Sequence, residues 1–235
     1  MPGRHLVTGQ RQAVQTFVMD GPISQHHAVR QSYDAVAKEY MECFRDELAG
    51  KPLDRALLAC LAEETEDGAP VADLGCGPGH VAAWLVGPGV ASVGIDLSPG
   101  MIAVGRRDYP QVEFREGDFL GLPATDGEFG AAVAFYSIIH LQPAELGRAF
   151  AEIHRVLRLR PRSLFLVAFH IGSEVRHLAE WLGHAVDVDF RFFEPSDIAK
   201  AMERAGFRVE MRLERLSYPQ EVETRRAYLL ARRQP

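Results

Sequence analysis

Lysine is almost missing from this sequence: 3 Lys stand beside 23 Arg and 32 acidic residues, giving a net charge of −6. With a pI near 5.9, the chain has no long-range pull on nucleic acid or anionic lipid. The arginine bias speaks of GC-rich codons rather than of chemistry. Cysteine is scarce as well. Cys43, Cys60 and Cys76 are odd in number and lack C-x-x-C spacing, which argues against a disulfide framework and against a cysteine zinc site. Unbroken apolar runs such as Leu164 to Phe169 are far too short to span a bilayer. Residues 1–21 hold no compact apolar stretch of the kind a signal peptide needs. These absences predict a cytoplasmic protein with neither a nucleic-acid nor a membrane partner. What is present, 47% hydrophobic and 25% charged residues in a chain of 235, suffices for one α/β domain with a real core.

Apolar stretches alternate with helical patterns from residue 52 to about 210, which predicts a parallel sheet covered by helices. Val71–Leu74, Ala91–Ile95, Val112–Phe114, Gly130–Tyr136 and Ser163–Phe169 read as strands. Ser98-Pro99 supplies an N-cap and a first-turn proline for a helix reaching Asp108. Pro143 opens a helix whose Leu146, Phe150, Ile153 and Leu157 form one buried stripe. Pro195 starts another, with Ile198, Met202 and Ala205 inward and Gly206 ending it. Phe207–Leu213 and Arg226–Ala231 follow with no helix between them and read as antiparallel neighbours. Upstream, Val29, Tyr33, Val36, Tyr40 and Phe44 make a helical stripe, and a second helix runs from Pro52 to Glu64. Residues 1–22 read as an arm, and residues 23–235 as a single domain with lid helices over about 23–65.

The most informative segment is Asp73-Leu74-Gly75-Cys76-Gly77-Pro78-Gly79-His80. A glycine-rich turn between a buried strand and a helix lets a ligand approach the backbone. A dinucleotide site wants G-x-G-x-x-G, but its third glycine position holds His80. What stands here is G-x-G-x-G with an acid two residues before it. This segment is very similar to the first motif of the class I S-adenosylmethionine-dependent methyltransferases. Val93-Gly94-Ile95-Asp96-Leu97-Ser98 resembles their second motif, Glu116-Gly117-Asp118-Phe119 their third, and Phe135-Tyr136-Ser137-Ile138-Ile139-His140-Leu141 their fourth-strand exit. The resemblance covers about residues 30–232.

It implies a Rossmann-like, doubly wound, mostly parallel seven-stranded sheet with an antiparallel C-terminal strand and helices on both faces. It also implies S-adenosylmethionine as cofactor, held by Tyr33, Asp73, Gly75, Cys76, Gly77, Asp96, Leu97, Met101, Asp118, Phe119 and Phe135. In that reading Asp96 takes the ribose hydroxyls and Asp118 the adenine amino group. Asp73 either touches the cofactor or holds the loop by accepting backbone N–H groups. One departure stands out: relatives often carry Pro-Gly-Gly before the fifth strand, where this chain has Leu159-Arg160-Pro161-Arg162-Ser163.

On the acceptor side, His140 follows the fourth strand and is either a general base or a plain hydrogen-bonding residue. Ser32 to Tyr40 resembles the lid helix of small-molecule methyltransferases, with Tyr33 and Tyr40 on one face. Gly172–Glu194 is where the family puts substrate recognition, so the resemblance implies an insertion over about 172–194. Tyr40, Tyr136, His170, Arg176, His177, Trp181 and Arg191 are the candidate acceptor contacts. His170, His177 and His184 recur every seven residues; the helical spacing is expected to apply to His177 and His184. Two turns, roughly 10 Å, is too wide for one ion, so no metal is expected. The expected acceptor is a small molecule, with oxygen and nitrogen both open. Phe135-Tyr136-Ser137 lacks the proline of the Asn-Pro-Pro-Tyr signature found in methyltransferases of exocyclic amines and glutamine. A macromolecular methyltransferase and a non-catalytic binding subunit stand as the alternatives.

Overall fold

The computed structural model describes residues 22–65, 68–159 and 163–235. The arm expected before the first helix and the Arg160-Pro161-Arg162 turn lie outside them.

Helix α1 (Pro22–Phe44) leads through a 3₁₀ turn (Glu47–Gly50) to α2 (Pro52–Glu64). The alternation then runs β1 (Val71–Leu74), α3 (His80–Val86), β2 (Ser92–Asp96), α4 (Pro99–Asp108), β3 (Glu113–Glu116) and β4 (Ala131–Phe135). A 3₁₀ turn (Ile138–His140), α5 (Leu146–Val156) and β5 (Leu164–His170) follow, then β6 (Val175–Trp181) and β7 (His184–Arg191). The chain closes with α6 (Pro195–Arg204), β8 (Phe207–Arg215) and β9 (Arg226–Arg233). The main sheet has the order β3-β2-β1-β4-β5-β9-β8. β9 alone is antiparallel, pairing with β5 on one side and β8 on the other. The strand order reverses between β1 and β4, so their carboxyl ends open a crevice, the usual ligand position in such sheets.

Strand side chains alternate between two cores. Ala72, Leu74 and Ala132 face the layer built by Phe150 and Ile153 of α5 and Ile198 and Met202 of α6. Val71, Ala131 and Val133 face Leu58 and Leu61 of α2 with Val81 and Leu85 of α3. Ser98 caps α4, its hydroxyl accepting from the Met101 N–H at 3.0 Å. A second cap comes from another helix: Asp34 of α1 accepts from the Ser98 hydroxyl at 2.5 Å and from the Gly100 N–H at 2.8 Å. Gly206 sits at φ +92°, past the end of α6. Among the described residues, no helix is long and apolar enough to cross a membrane.

The expected strands and helices shift only at their ends, with one exception. The His177–His184 spacing belongs to a β-hairpin, not a helix. β6 and β7 form a separate antiparallel pair joined at Leu182 (φ 50°) and Gly183 (φ 82°). Two successive positive φ values make the primed two-residue turn that matches strand twist. His177 therefore faces Asp189 across the pair, while His184 faces Trp181. Among the described residues, no group of three or more His, Cys, Asp or Glu could hold a metal ion.

Candidate active site

The crevice at the strand reversal deepens into one cavity of about 670 Å³, walled by the glycine loop, α1, the β4 exit, the hairpin and the β8–β9 connection. That is ample for a nucleoside-sized ligand with a second small molecule beside it.

At the β1 end, Gly75 (φ 66°) and Gly77 (φ 54°) take left-handed conformations. The Ser137 hydroxyl donates to the Leu74 carbonyl at 2.7 Å, tying the β4 exit to the loop. A Cβ on Gly75 would lie 2.3 Å from the Ser137 Cβ, whereas one on Gly77 would meet nothing nearer than Tyr40 Cε1 at 3.7 Å. Gly77 is therefore the loop position with free space beside it. Asp73 accepts from the Ala82 N–H at 3.0 Å, the loop-holding contact, and also lines the cavity. Burial raises its carboxyl to about 7. Asp96 ends β2 and accepts from Gly77 N at 2.7 Å and Ser98 N at 2.8 Å. Burial raises it to about 6. Each oxygen keeps a further lone pair for a ligand hydroxyl. Cys76 is a buried thiol, pushed well above its usual range by burial and the charges of Asp96 and Asp73, which makes it a filler rather than a nucleophile.

Asp118 is held by α1. His26 Nδ1 donates to its carboxylate at 2.7 Å, and Leu120 N–H at 2.8 Å; His26 Nε2 lies 3.2 Å from Glu145. The Asp118 hydrogen bond, against the cost of burial, raises His26 to about 9. A histidine raised in the folded state stabilises fully below its unfolded value near 6.5, and that contribution fades as pH rises through 9. Allowing for solvent screening, we expect about 1–2 kcal/mol. His26→Gln should lower the thermal midpoint at pH 6 and converge on wild type near pH 9.5. A gap unchanged between those pH values would refute the ion pair.

The middle of the cavity is aromatic. Trp181 of the hairpin packs edge-on against Tyr33 and Tyr40, each at 5.5 Å, and against Phe190 at 5.7 Å. His140 Nδ1 donates to the Asp189 carbonyl at 3.0 Å, and its Nε2 lies 2.7 Å from the Tyr33 hydroxyl. Burial lowers His140 to about 4, so the imidazole is neutral at physiological pH.

The far end is polar. His170 pairs with the Thr224 hydroxyl at 2.8 Å and stacks on Phe192, over which Arg176 lies at 4.5 Å. Burial lowers His170 to about 4. Beneath Tyr136, Glu221 gathers three cations: Arg215 at 2.6 Å, Arg226 at 3.3 Å and Lys51 at 3.5 Å. Against the cost of burial, the Arg215 hydrogen bond and the charges of Arg226 and Lys51 hold Glu221 at about 2.

Most residues expected from the sequence therefore meet in one cavity: Tyr33, Asp73, Gly75, Cys76, Gly77, Asp96, Leu97, Asp118, Phe119 and Phe135 toward the loop, and Tyr40, Tyr136, His140, His170, Arg176 and Trp181 beyond it. Three are placed elsewhere. Met101 is fully buried among Val36 and Ala37 under α1. His177 sits exposed on the hairpin beside Asp189, and Arg191 also pairs with Asp189, at 3.1 Å. His26, Lys51, Glu221, Thr224 and Arg226 join the wall without any sequence signal, because they come from segments far apart in the chain.

Residues 71–160 match the family described as a methyltransferase domain. Demethylmenaquinone methyltransferase of Chlorobaculum parvum is 31% identical over 138 residues, 56% of each chain. Magnesium-protoporphyrin O-methyltransferase of Rhodobacter capsulatus is 30% identical over 51% of this chain and 58% of its own. The chain thus spans little more than half the length of these curated relatives. In three dimensions it is similar to the Burkholderia thailandensis 1,6-didemethyltoxoflavin-N1-methyltransferase, with TM-score 0.71 and 21% identity over 98% and 99% of the two chains. At that identity the likeness speaks for the fold. The match to a methyltransferase domain over residues 71–160 and the shared fold agree with the resemblance that the glycine loop and its two acids bear to class I S-adenosylmethionine-dependent methyltransferases.

Proposed function

We propose that the chain transfers the methyl group of S-adenosylmethionine to a small, ring-bearing acceptor. The observation that carries this reading is the single cavity joining the glycine loop and Asp96 to an aromatic box. Asp96 would take the ribose hydroxyls, Asp118 the adenine amino group, and Leu97 and Phe119 the faces of the base. The room beside Gly77 admits the ligand against the loop backbone. When bound, the sulfonium supplies an already activated methyl for in-line displacement. The chain's own residues then have to orient the acceptor, exclude water and, for a hydroxyl, move its proton. Tyr33, Tyr40, Trp181 and Phe190 offer edges and faces for a flat ring, and His170 and Arg176 offer polar contacts at its far side. The named relatives act on quinone, porphyrin and toxoflavin rings, which supports a planar acceptor here.

Titration calorimetry with S-adenosylhomocysteine, and with NAD in parallel, tests the cofactor half. S-adenosylhomocysteine should bind and NAD should not. Asp96→Ala should weaken binding by about 1.5–3 kcal/mol, roughly 10–150-fold, since charge-assisted bonds are lost. Binding of NAD alone, or undiminished affinity in the variant, would overturn the assignment.

A further inference from the structure

Neutral imidazole has a single lone pair, and the hairpin decides where it lies. The Asp189 carbonyl can only accept, so His140 carries its proton on Nδ1 and its lone pair on Nε2. That lone pair is already taken: the Tyr33 hydroxyl donates to it at 2.7 Å. Tyr33 is itself clamped, with Trp181 edge-on at 5.5 Å and the imidazole at 5.2 Å. Both side chains line the cavity, and with its proton committed to His140 the Tyr33 oxygen still has lone pairs to offer. We propose that Tyr33 receives the acceptor's hydroxyl proton and passes its own to His140, so that α1 and the β4 exit together form a two-residue proton relay.

The inference rests on the methyltransferase reading with a hydroxyl acceptor. As the acceptor oxygen bonds the methyl carbon, the S–CH₃ electron pair goes to sulfur and the hydroxyl proton goes to Tyr33 Oη. The Tyr33 proton moves to His140 Nε2, and the imidazolium later loses a proton to water. One positive charge leaves the sulfonium and one appears on His140, so the net charge of the closed site is unchanged. Burial, with Asp96 nearby, pushes the Tyr33 phenol above its ordinary value. No phenolate stands, and the two transfers occur together. The charged groups acting on His140 are Asp189 and Arg191 of β7; its ring neighbours from α1 and the hairpin are the neutral Tyr33 and Phe190.

Tyr33→Phe keeps the ring and deletes only the hydroxyl. In the S-adenosylhomocysteine-bound protein, ¹⁵N NMR should show His140 as the Nδ1–H tautomer. Its pKa should rise in Tyr33→Phe, because a donor to the neutral ring is gone. With S-adenosylmethionine and catechol or simple phenols as probe acceptors, Tyr33→Phe and His140→Ala should each lower kcat about 10²–10⁴-fold. The double variant should fall no further, the mark of groups that work as one unit. Retained kcat in Tyr33→Phe, losses that multiply in the double variant, an unmoved His140 titration, or no turnover of any hydroxylic probe by protein that binds S-adenosylhomocysteine would each overturn the relay. Failure of the wild type to bind S-adenosylhomocysteine would instead overturn the cofactor reading beneath it.

Discussion

Glu221→Ala is expected to lower the unfolding free energy by about 3–5 kcal/mol, the loss typical when one member of a buried ion cluster is removed. The side chains of Lys51, Arg215 and Arg226 are each no more than 10% exposed, so water cannot take the carboxylate's place. Arg215 would keep Asp54 at 3.2 Å, and Lys51 would keep Glu47 at 2.7 Å. Arg226 would be left with the carbonyls of Thr224 and Val222 alone among the contacts described. Urea denaturation of wild type, Glu221→Ala and Glu221→Gln reads this directly, with the amide variant in between because it keeps the shape without the charge. A change below about 1 kcal/mol in the alanine variant would mean the cations are better solvated than their burial indicates.

Gly75→Val and Gly77→Ala should fail in different ways. A side chain on either pays roughly 1–2 kcal/mol for the left-handed conformation. At Gly75 the new Cβ also strikes the Ser137 Cβ at 2.3 Å, and Ser137 is fixed by its bond to the Leu74 carbonyl. Overpacking adds about 1–3 kcal/mol, so Gly75→Val should lose much of its fold. Gly77→Ala should keep its far-ultraviolet circular dichroism and lose S-adenosylhomocysteine affinity, because its Cβ enters the cavity. Blocking the ligand with the fold intact needs open space beside the glycine. The structure reserves that behaviour for Gly77. A folded Gly75→Val, seen as an unchanged thermal midpoint, would refute the distinction.

The same contrast shows what can be read from sequence. β1, its glycine turn and the acid ending β2 are legible because a short buried strand, positive-φ glycines and a strand-end carboxylate each leave a local mark. Ser98-Pro99 marks the start of α4 in the same way. The hairpin does not announce itself. Its outer strand is largely exposed, one of its turn residues is Leu182 rather than Asn or Asp, and an accidental seven-residue histidine spacing imitates a helix. The resemblance offers Met101 as a cofactor contact, yet its helix turns it beneath α1. The Glu221 cluster is illegible for a different reason: Lys51, Arg215 and Arg226 meet only once the β8–β9 connection folds back onto the start of α2, and periodicity carries no information about such closure.

The double capping of α4 has a consequence for how a ligand and α1 sense each other. No acidic residue occupies the first turn of α4, so the negative charge its amino end favours is lent by Asp34 of α1. Ser98, which takes that bond, also donates its backbone N–H to Asp96. One short stretch of backbone is therefore common property of the Asp96 carboxylate and the helix above it. Thermodynamic reciprocity applies to such an arrangement: whatever free energy a nucleoside gains from a docked α1, α1 gains from the nucleoside. Any free energy exchanged between a ligand on Asp96 and the helix that carries Tyr33 would pass through this stretch of backbone and its hydrogen bonds.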